Sequence, residues 1–241
     1  MRVGFFVTCL VDLMRPSIGF AALRLLEGAG AEVFVPPAQT CCGQPAYNSG
    51  DRADAKSLAA KVIREFEGCE WLVAPSGSCS GMIRTHYADL FADEPAMLRR
   101  AEALAARTRE LTDFLLNELK LERVPGRFDG TITYHDSCAG LREMGVRHQP
   151  RALLAKVPGL KLTEMAEADN CCGFGGTFAI KFGEISGRMA DNKCQHIVNS
   201  GADAVVLGDL GCMLNIEGRL RRRGDPTRVL HVAEVLAGEQ S

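Results

Sequence analysis

The chain has 241 residues, 46% hydrophobic and 24% charged, with a formal net charge of −2. That balance argues against nucleic acid as the main partner, and no apolar run nears the ~20 residues a bilayer crossing needs, so no membrane span is expected. Met1 to Cys9 reads as a first strand rather than a leader, so a cytoplasmic protein is expected, and ten cysteines there point to metal or redox chemistry before disulfides.

In chain order, Val3 to Thr8 is a buried-strand run with Cys9 at its end. Pro16 suits the first turn of a helix carrying Phe20, Leu23, Leu25 and Leu26, which Gly28 and Gly30 end. A strand over Ala31–Val35 leads to Cys41-Cys42-Gly43. An amphipathic helix follows from Asp51 through Phe66, then a strand over Trp71–Ala74 leading to Cys79. Helices are expected from about Gly81 to Phe91 and from Pro95 to Leu119, followed by a short polar linker, Glu122–Arg127.

The order then repeats. A strand over Gly130–His135 leads to Cys138, and a helix spans Pro150–Val157. A strand over Leu160–Met165 leads to Cys171-Cys172-Gly173. A helix over Gly183–Asn199 precedes a strand over Ala204–Leu207 and Cys212. A helix over Met213–Arg223, a strand over Thr227–Leu230 and a helix over Val232–Leu236 finish the chain.

The cysteines repeat with the elements. Cys9 to Cys138 spans 129 residues, Cys41 to Cys171 spans 130, and Cys79 to Cys212 spans 133. Such agreement marks a duplication. Strands alternating with helices imply right-handed β-α-β units and parallel sheets. The expected fold is therefore α/β, with two pseudo-symmetric Rossmann-like parallel-sheet lobes, over residues 1–122 and 128–241. Ligands bind outside the carboxyl ends of strands in such sheets, where three loops can bring four thiols to one point.

Four thiolates per lobe suit zinc, an iron–sulfur cluster or thiol–disulfide catalysis. Adjacent cysteines favour the cluster, because a multi-iron group offers a separate iron to each sulfur; the other two chemistries stay open. Gly43 and Gly173 hold the same place in the repeat and would let backbone N–H groups approach sulfur, whereas Gly175 and Gly176 are equally well read as turn residues. No Gly-x-Gly-x-x-Gly joins a predicted strand to a helix, so nicotinamide or flavin binding by this chain alone is not expected.

The doubled Cys…Cys-Cys-Gly…Cys pattern resembles the cysteine-rich CCG domain family, which includes the cysteine-rich subunit of heterodisulfide reductase and the glycolate oxidase iron–sulfur subunit. His135-Asp136-Ser137-Cys138-Ala139-Gly140-Leu141-Arg142-Glu143, Cys171-Cys172-Gly173-Phe174-Gly175-Gly176-Thr177-Phe178, Gly208-Asp209-Leu210-Gly211-Cys212 and Pro75-Ser76-Gly77-Ser78-Cys79 look like the lactate utilization protein A group. The resemblance spans essentially the whole chain. It implies an electron-transfer component of L-lactate oxidation to pyruvate, working with lactate utilization proteins B and C. It implies one cluster per lobe, of 4Fe–4S type. The ligands it implies are Cys9, Cys41, Cys42 and Cys79, then Cys138, Cys171, Cys172 and Cys212.

The heterodisulfide reductase subunit ends each site in Cys-x-x-Cys. Here Ser76 and Asp209 replace the first cysteine of that pair, leaving four ligands, or an oxygen ligand in place of the fifth. That departs from its non-cubane geometry and disulfide-cleaving chemistry. A ferredoxin-like Cys-x-x-Cys-x-x-Cys run is also absent.

Other residues read more plainly. Cys69 and Cys194 lie outside the repeat and read as buried small hydrophobes. His135 is either a hydrogen-bond donor or proton carrier near the cluster, or a strand-end histidine satisfied by backbone. Arg142 and Glu143 read as a helix-surface pair, and Arg219 with Arg221–Arg223 as charge favoured at a helix end. His86, His148, His196 and His231 read as structural.

Overall fold

The computed structural model describes residues 1–239. The first sheet is built from β1 (Arg2–Phe5), β2 (Glu32–Phe34), β3 (Trp71–Ala74) and β4 (Thr108–Glu110), in the order β2-β1-β3-β4. The second contains β5 (Gly130–His135), β6 (Leu160–Leu162), β7 (Ala204–Leu207) and β8 (Arg228–His231), in the order β6-β5-β7-β8. Every strand pair is parallel. The two sheets thus share one topology, as a duplicated α/β lobe requires. In each, strand order reverses beside the first strand, which opens a crevice at the carboxyl ends of β1 and β3, or of β5 and β7.

The helices of the first lobe are α1 (Cys9–Met14), α2 (Pro16–Gly28), α3 (Gln44–Asn48), α4 (Arg52–Phe66), α5 (Gly77–Gly81), α6 (Tyr87–Leu90), α7 (Pro95–Ala106) and α8 (Leu111–Asp113). A π-helical stretch over Met82–His86 joins α5 to α6, and another over Phe114–Glu118 extends α8. The second lobe contains α9 (Cys138–Arg142), α10 (His148–Leu154), α11 (Thr177–Lys181), α12 (Gly183–Asn199), α13 (Leu210–Arg222) and α14 (Val232–Ala237).

Local chemistry explains the long helices. Pro16 opens α2, which buries Ile18, Ala21, Ala22, Leu25 and Leu26 along one side. The chain leaves it through Gly30 at φ +86°, a conformation that costs glycine little. The Asp51 carboxylate accepts from the Asp54 N–H at 3.1 Å and caps α4, which buries Ala55, Ala59, Val62, Ile63 and Phe66.

Several boundaries differ from the sequence reading. The expected helix over 95–119 is broken, because Thr108–Glu110 pairs with Leu72–Ala74 as the fourth strand. The segments 81–91 and 213–223 begin earlier, at Gly77 and Leu210, which puts Cys79 and Cys212 inside helices. β1 stops at Phe5: the Val7 N–H turns to the Gln39 side chain at 2.9 Å, and Thr8 sits at φ +73°. β6 ends at Leu162 rather than 165, and α10 starts at His148 rather than Pro150.

The lobes are joined by a reciprocal exchange. Helix α14, following β8, packs on α2 of the first lobe, where the Ser17 hydroxyl donates to Glu234 at 2.8 Å. Helix α8, following β4, packs on α10 of the second lobe, where Gln149 Nε2 donates to Asp113 at 3.1 Å. One buried apolar cluster therefore runs through both lobes, from Val3, Phe5 and Leu25 to Ile132, Val206 and Val235. A second, around Phe6, Phe66 and Tyr87, belongs to the first lobe.

Two buried polar residues end the fourth strands at matching positions: Glu110 opposite Ala74 and His231 opposite Leu207. Glu110 accepts from the Thr112 and Asp113 N–H groups and caps α8. His231 Nδ1 accepts from the Ala233 N–H and caps α14, while Nε2 lies 3.1 Å from the Pro75 carbonyl of the other lobe. Burial pushes the Glu110 carboxyl up to about 7, against the opposing pull of its Thr112 and Asp113 donors.

A carboxyl held above its unfolded value favours the fold while it is protonated, so stability falls as pH rises from about 4.5 towards 7. Glu110→Gln keeps an acceptor for the cap and removes the charge. Denaturant melts across pH should place this variant level with the parent below about pH 4.5 and more stable above 7, by on the order of 3 kcal/mol. Parallel curves would count against a buried carboxyl that titrates there.

Candidate metal centre

Each lobe gathers its thiols from three strand ends. In the first, Cys9 opens α1 after β1, Cys41 and Cys42 follow β2, and Cys79 lies in α5 after β3. In the second, Cys138 opens α9 after β5, Cys171 and Cys172 follow β6, and Cys212 lies in α13 after β7. These helices carry side-chain caps: Thr8, Ser76, Ser137 and Asp209 each accept from a backbone N–H of the first turn. Ser and Asp three residues before Cys79 and Cys212 were the signal that those cysteines sit in helical turns.

The sulfurs touch. Cys42 and Cys79 Sγ are 3.5 Å apart. Cys41 Sγ takes hydrogen bonds from the thiols of Cys42 and Cys9, and Cys171 Sγ from those of Cys138 and Cys172. Cys172 in turn meets Cys212. The turn after each pair makes the same contact: Gly43 at φ +86° and Gly173 at φ +88° aim their N–H groups at Cys41 and Cys171 Sγ, both at 3.4 Å. A Cβ on Gly173 would come within 2.7 Å of the Ser186 carbonyl oxygen, so glycine is needed there for space as well as for backbone angle.

Four thiols in one small volume cannot all ionise unaided. The donors from Cys42 and Cys9 pull Cys41 down to about 3, and those from Cys138 and Cys172 pull Cys171 down to about 2. Their partners go the other way: hydrogen bonding to Cys41 raises Cys9 and Cys42, and hydrogen bonding to Cys171 raises Cys138 and Cys172, with burial adding to each. At Cys212 the Cys172 thiol donates and lowers, but burial prevails and the direction is up. Each lobe so presents one ready thiolate, Cys41 or Cys171, beside thiols held towards the protonated form at Cys9 and Cys42 or at Cys138, Cys172 and Cys212, a donor set from which a soft cation or cluster would displace protons.

Ser76 and Asp209, which occupy matching positions, meet each other. The Ser76 hydroxyl donates to Asp209 Oδ2 at 3.0 Å, the Ser78 N–H donates to the same oxygen at 3.0 Å, and the Gly211 N–H donates to Oδ1 at 3.1 Å. Both side chains are buried. Their oxygens are spent on joining the lobes and on capping α5 and α13, which is the use the structure gives to the position where a fifth ligand was weighed. A cavity of about 250 Å³ lies beside this contact, lined by Gln44, Ser78, His86 and Arg142 together with Cys138, Cys171 and Cys212. A second cavity, of about 420 Å³, borders Cys9 and Cys41.

Residues outside the four-thiol sets divide clearly. Cys69 and Cys194 are buried in apolar surroundings, the latter against the Ile216 carbonyl at 3.8 Å. His86 stacks on Tyr47 and faces Glu143 at 3.7 Å, so it borders the interlobe cavity. His196 pairs with Glu167 at 3.2 Å. Arg219 and Arg223 bind Asp191, and Arg221 binds Glu217, so most of the basic run at the end of α13 is neutralised.

His135 differs from the other histidines. It is fully buried, and among the described residues neither ring nitrogen makes a hydrogen bond of good geometry, the ring only approaching the Ala168 backbone. Its ring, Cys172 Sγ and Cys212 Sγ bring ligand atoms within 4.8 Å of one another. Lys193, also buried, anchors on the Ala168 carbonyl at 3.3 Å, near enough to feel the charges of Cys172 and Cys212. The sequence reading passed over Lys193, which sits on the buried side of α12.

Comparison with known proteins accords with this doubled geometry. The model of the cysteine-rich CCG domain matches residues 3–84 and again 132–217. Lactate utilization protein A of Halalkalibacterium halodurans is 46% identical over 98% of this chain and 96% of its own length. The protein of that name from Geobacillus kaustophilus is 48% identical over 98% of both chains. The chain belongs to the cysteine-rich CCG domain family, in the lactate utilization protein A group. A solved hypothetical protein from Helicobacter pylori superposes with a TM-score of 0.71 at 14% identity, covering 100% of this chain. The chain spans 49% of that protein, and the likeness concerns fold alone. Within the CCG family pattern, the two matched segments contain all eight cysteines of the repeat.

The interlobe carboxylate gives a direct test of the arrangement. Asp209→Ala removes the acceptor of three donors, the buried Ser76 hydroxyl and Gly211 N–H and the half-buried Ser78 N–H. Chemical denaturation should register a loss of about 2–4 kcal/mol, against about 1–2 kcal/mol for Ser76→Ala, which removes one donor to the carboxylate and the cap that accepts from the Cys79 N–H. Equal, small losses from both would mean the contact contributes little.

Proposed function

We propose that this chain is an iron–sulfur electron-transfer component of a cytoplasmic L-lactate oxidation system, acting with lactate utilization proteins B and C. In this reading Cys9, Cys41, Cys42 and Cys79 hold one 4Fe–4S-type cluster in a lobe spanning 1–122. Cys138, Cys171, Cys172 and Cys212 hold another in a lobe spanning 128–241. The observation that carries it is the meeting of four sulfurs from three strand ends, made twice. The names of the relatives supply the physiological setting. No helix among the described residues is long and apolar enough to cross a membrane.

Bound clusters would accept and release single electrons. The chain's own contribution is to supply thiolates, to aim the Gly43 and Gly173 N–H groups at sulfur and to shield the buried members of each set from water. Charge-assisted N–H donation to sulfur stabilises the more negative state, one of the levers by which a protein sets potential.

One distance favours a second reading. The 3.5 Å between Cys42 and Cys79 Sγ is near the tetrahedral edge of about 3.8 Å that follows from a Zn–S bond of about 2.3 Å. Two thiolates on separate irons need to stand further apart, which requires the side chains to rotate outward. Metal and sulfide analysis of anaerobically prepared protein separates the two. We expect iron with acid-labile sulfide, and Cys9→Ser should lose about half of both, while Cys69→Ser keeps the full complement. Zinc without sulfide in the coloured or colourless protein would sink the iron reading.

A further inference from the structure

The two lobes are not equivalent beneath their sulfurs. The offset that relates Cys138 to Cys9 relates His135 to Phe6, and both are fully buried, His135 as the last residue of β5 and Phe6 directly after β1. The first lobe therefore offers its thiols a hydrocarbon ring where the second offers an imidazole. The stretch of α4 that matches Lys193 of α12 carries Val62 and Ile63, again buried and apolar. A buried imidazole without a partner costs free energy, on the order of 1–3 kcal/mol for a stranded polar group. Such a group calls for an acceptor in good geometry, which the protein chain does not provide here.

The acceptors within reach are sulfurs. Ring nitrogen, Cys172 Sγ and Cys212 Sγ lie within 4.8 Å of one another. A neutral imidazole carries one N–H donor. The Ala168 carbonyl, the backbone acceptor that the ring approaches without good hydrogen-bond geometry, already accepts from the Asp136 N–H at 3.1 Å and from Lys193 at 3.3 Å. We propose that His135 is a positioning residue that donates its N–H to sulfur of the second-lobe cluster and holds that cluster at a higher reduction potential than the same ligands would give without it. The proposal rests on the iron reading above and adds to it an inequality between the lobes. Donation to sulfur stabilises the reduced, more negative state, and burial keeps water from competing. Lys193 acts in the same direction through its charge. Asp209 opposes both, but its oxygens are met by three donors at the lobe boundary.

The test is a redox titration of the full-length chain, prepared anaerobically and followed by electron paramagnetic resonance. The parent is compared with His135→Phe, which installs the first lobe's residue, and with His135→Gln and His135→Asn, which keep an N–H. Cys9→Ser identifies the first-lobe signal by removing it. We expect His135→Phe to keep its iron and sulfide and to shift the second-lobe midpoint down by at least tenfold in its one-electron equilibrium, ~59 mV. The first-lobe midpoint should stay in place, and one of the amide variants should recover at least half of the shift. Iron-loaded His135→Phe with both midpoints unmoved overturns the proposal alone. Loss of second-lobe iron from all three variants also overturns it, since the ring would then be a ligand rather than a donor. Parent protein without iron overturns the iron reading and the proposal together.

Discussion

Thiolates repel one another, and the repulsion grows as water is removed from between them. Both lobes nevertheless bring four thiols into contact, with one sulfur in each set pulled strongly towards ionisation by the hydrogen bonds of its neighbours. The fold makes that crowding possible by delivering each thiol on a separately braced element. Side-chain caps fix the helices that carry Cys9, Cys79, Cys138 and Cys212, and the left-handed glycines fix the turns that carry the adjacent pairs. A loop site built from neighbouring residues could relax its thiols apart. Three strand ends anchored in a parallel sheet cannot do so without disturbing the sheet.

The same anchoring explains why the lobes exchange helices. The crevice at the reversal of strand order is open to solvent in an isolated lobe. Packing α14 on α2 and α8 on α10 brings the two lobes together and leaves the second site facing a cavity walled partly by Gln44, Ser78 and His86 of the first. The Ser76–Asp209 contact is the polar seam of this boundary, and the shared apolar cluster is its bulk. The lobes are repeats in sequence but form one packed body around their two sites.

Much of this was legible from residues alone, and the failures have physical causes. The duplication followed from the cysteine offsets, and the parallel sheets from the alternation of apolar runs with amphipathic ones. The fourth strand of the first lobe was not legible. Leu104, Leu111, Phe114 and Leu115 keep a helical rhythm across Thr108–Glu110, and three residues without an apolar run give no strand signal. Pairing with β3 decides that segment, with the buried Thr108 hydroxyl returning to the Leu104 carbonyl at 2.8 Å. Ser76 and Asp209 stood out as departures from the family pattern, but equivalent positions in a repeat give no warning that they touch. His135 was visible as a strand-end histidine; its lack of a well-formed hydrogen bond is a property of the packed interior.

Duplication starts with two identical sites, and selection on a repeated thiol set acts on everything except the ligands. The substitutions that distinguish the lobes follow that logic. Phe6 against His135 lies next to the thiol sets, the apolar Val62 and Ile63 against Lys193 lie on the buried sides of matching helices, and Ser76 against Asp209 lies at the seam. The exchanges at Phe6 and at Val62 and Ile63 put polarity or charge into the second lobe and leave the first apolar, and the exchange at Ser76 sets a carboxylate against a neutral hydroxyl. A hydrocarbon floor disfavours the addition of negative charge to whatever the thiols bind, while an N–H donor and a buried ammonium favour it. For an electron carrier, two sites of equal potential would give no direction to transfer within the molecule, so divergence of the floors rather than of the ligands is the change that makes a duplicated site useful.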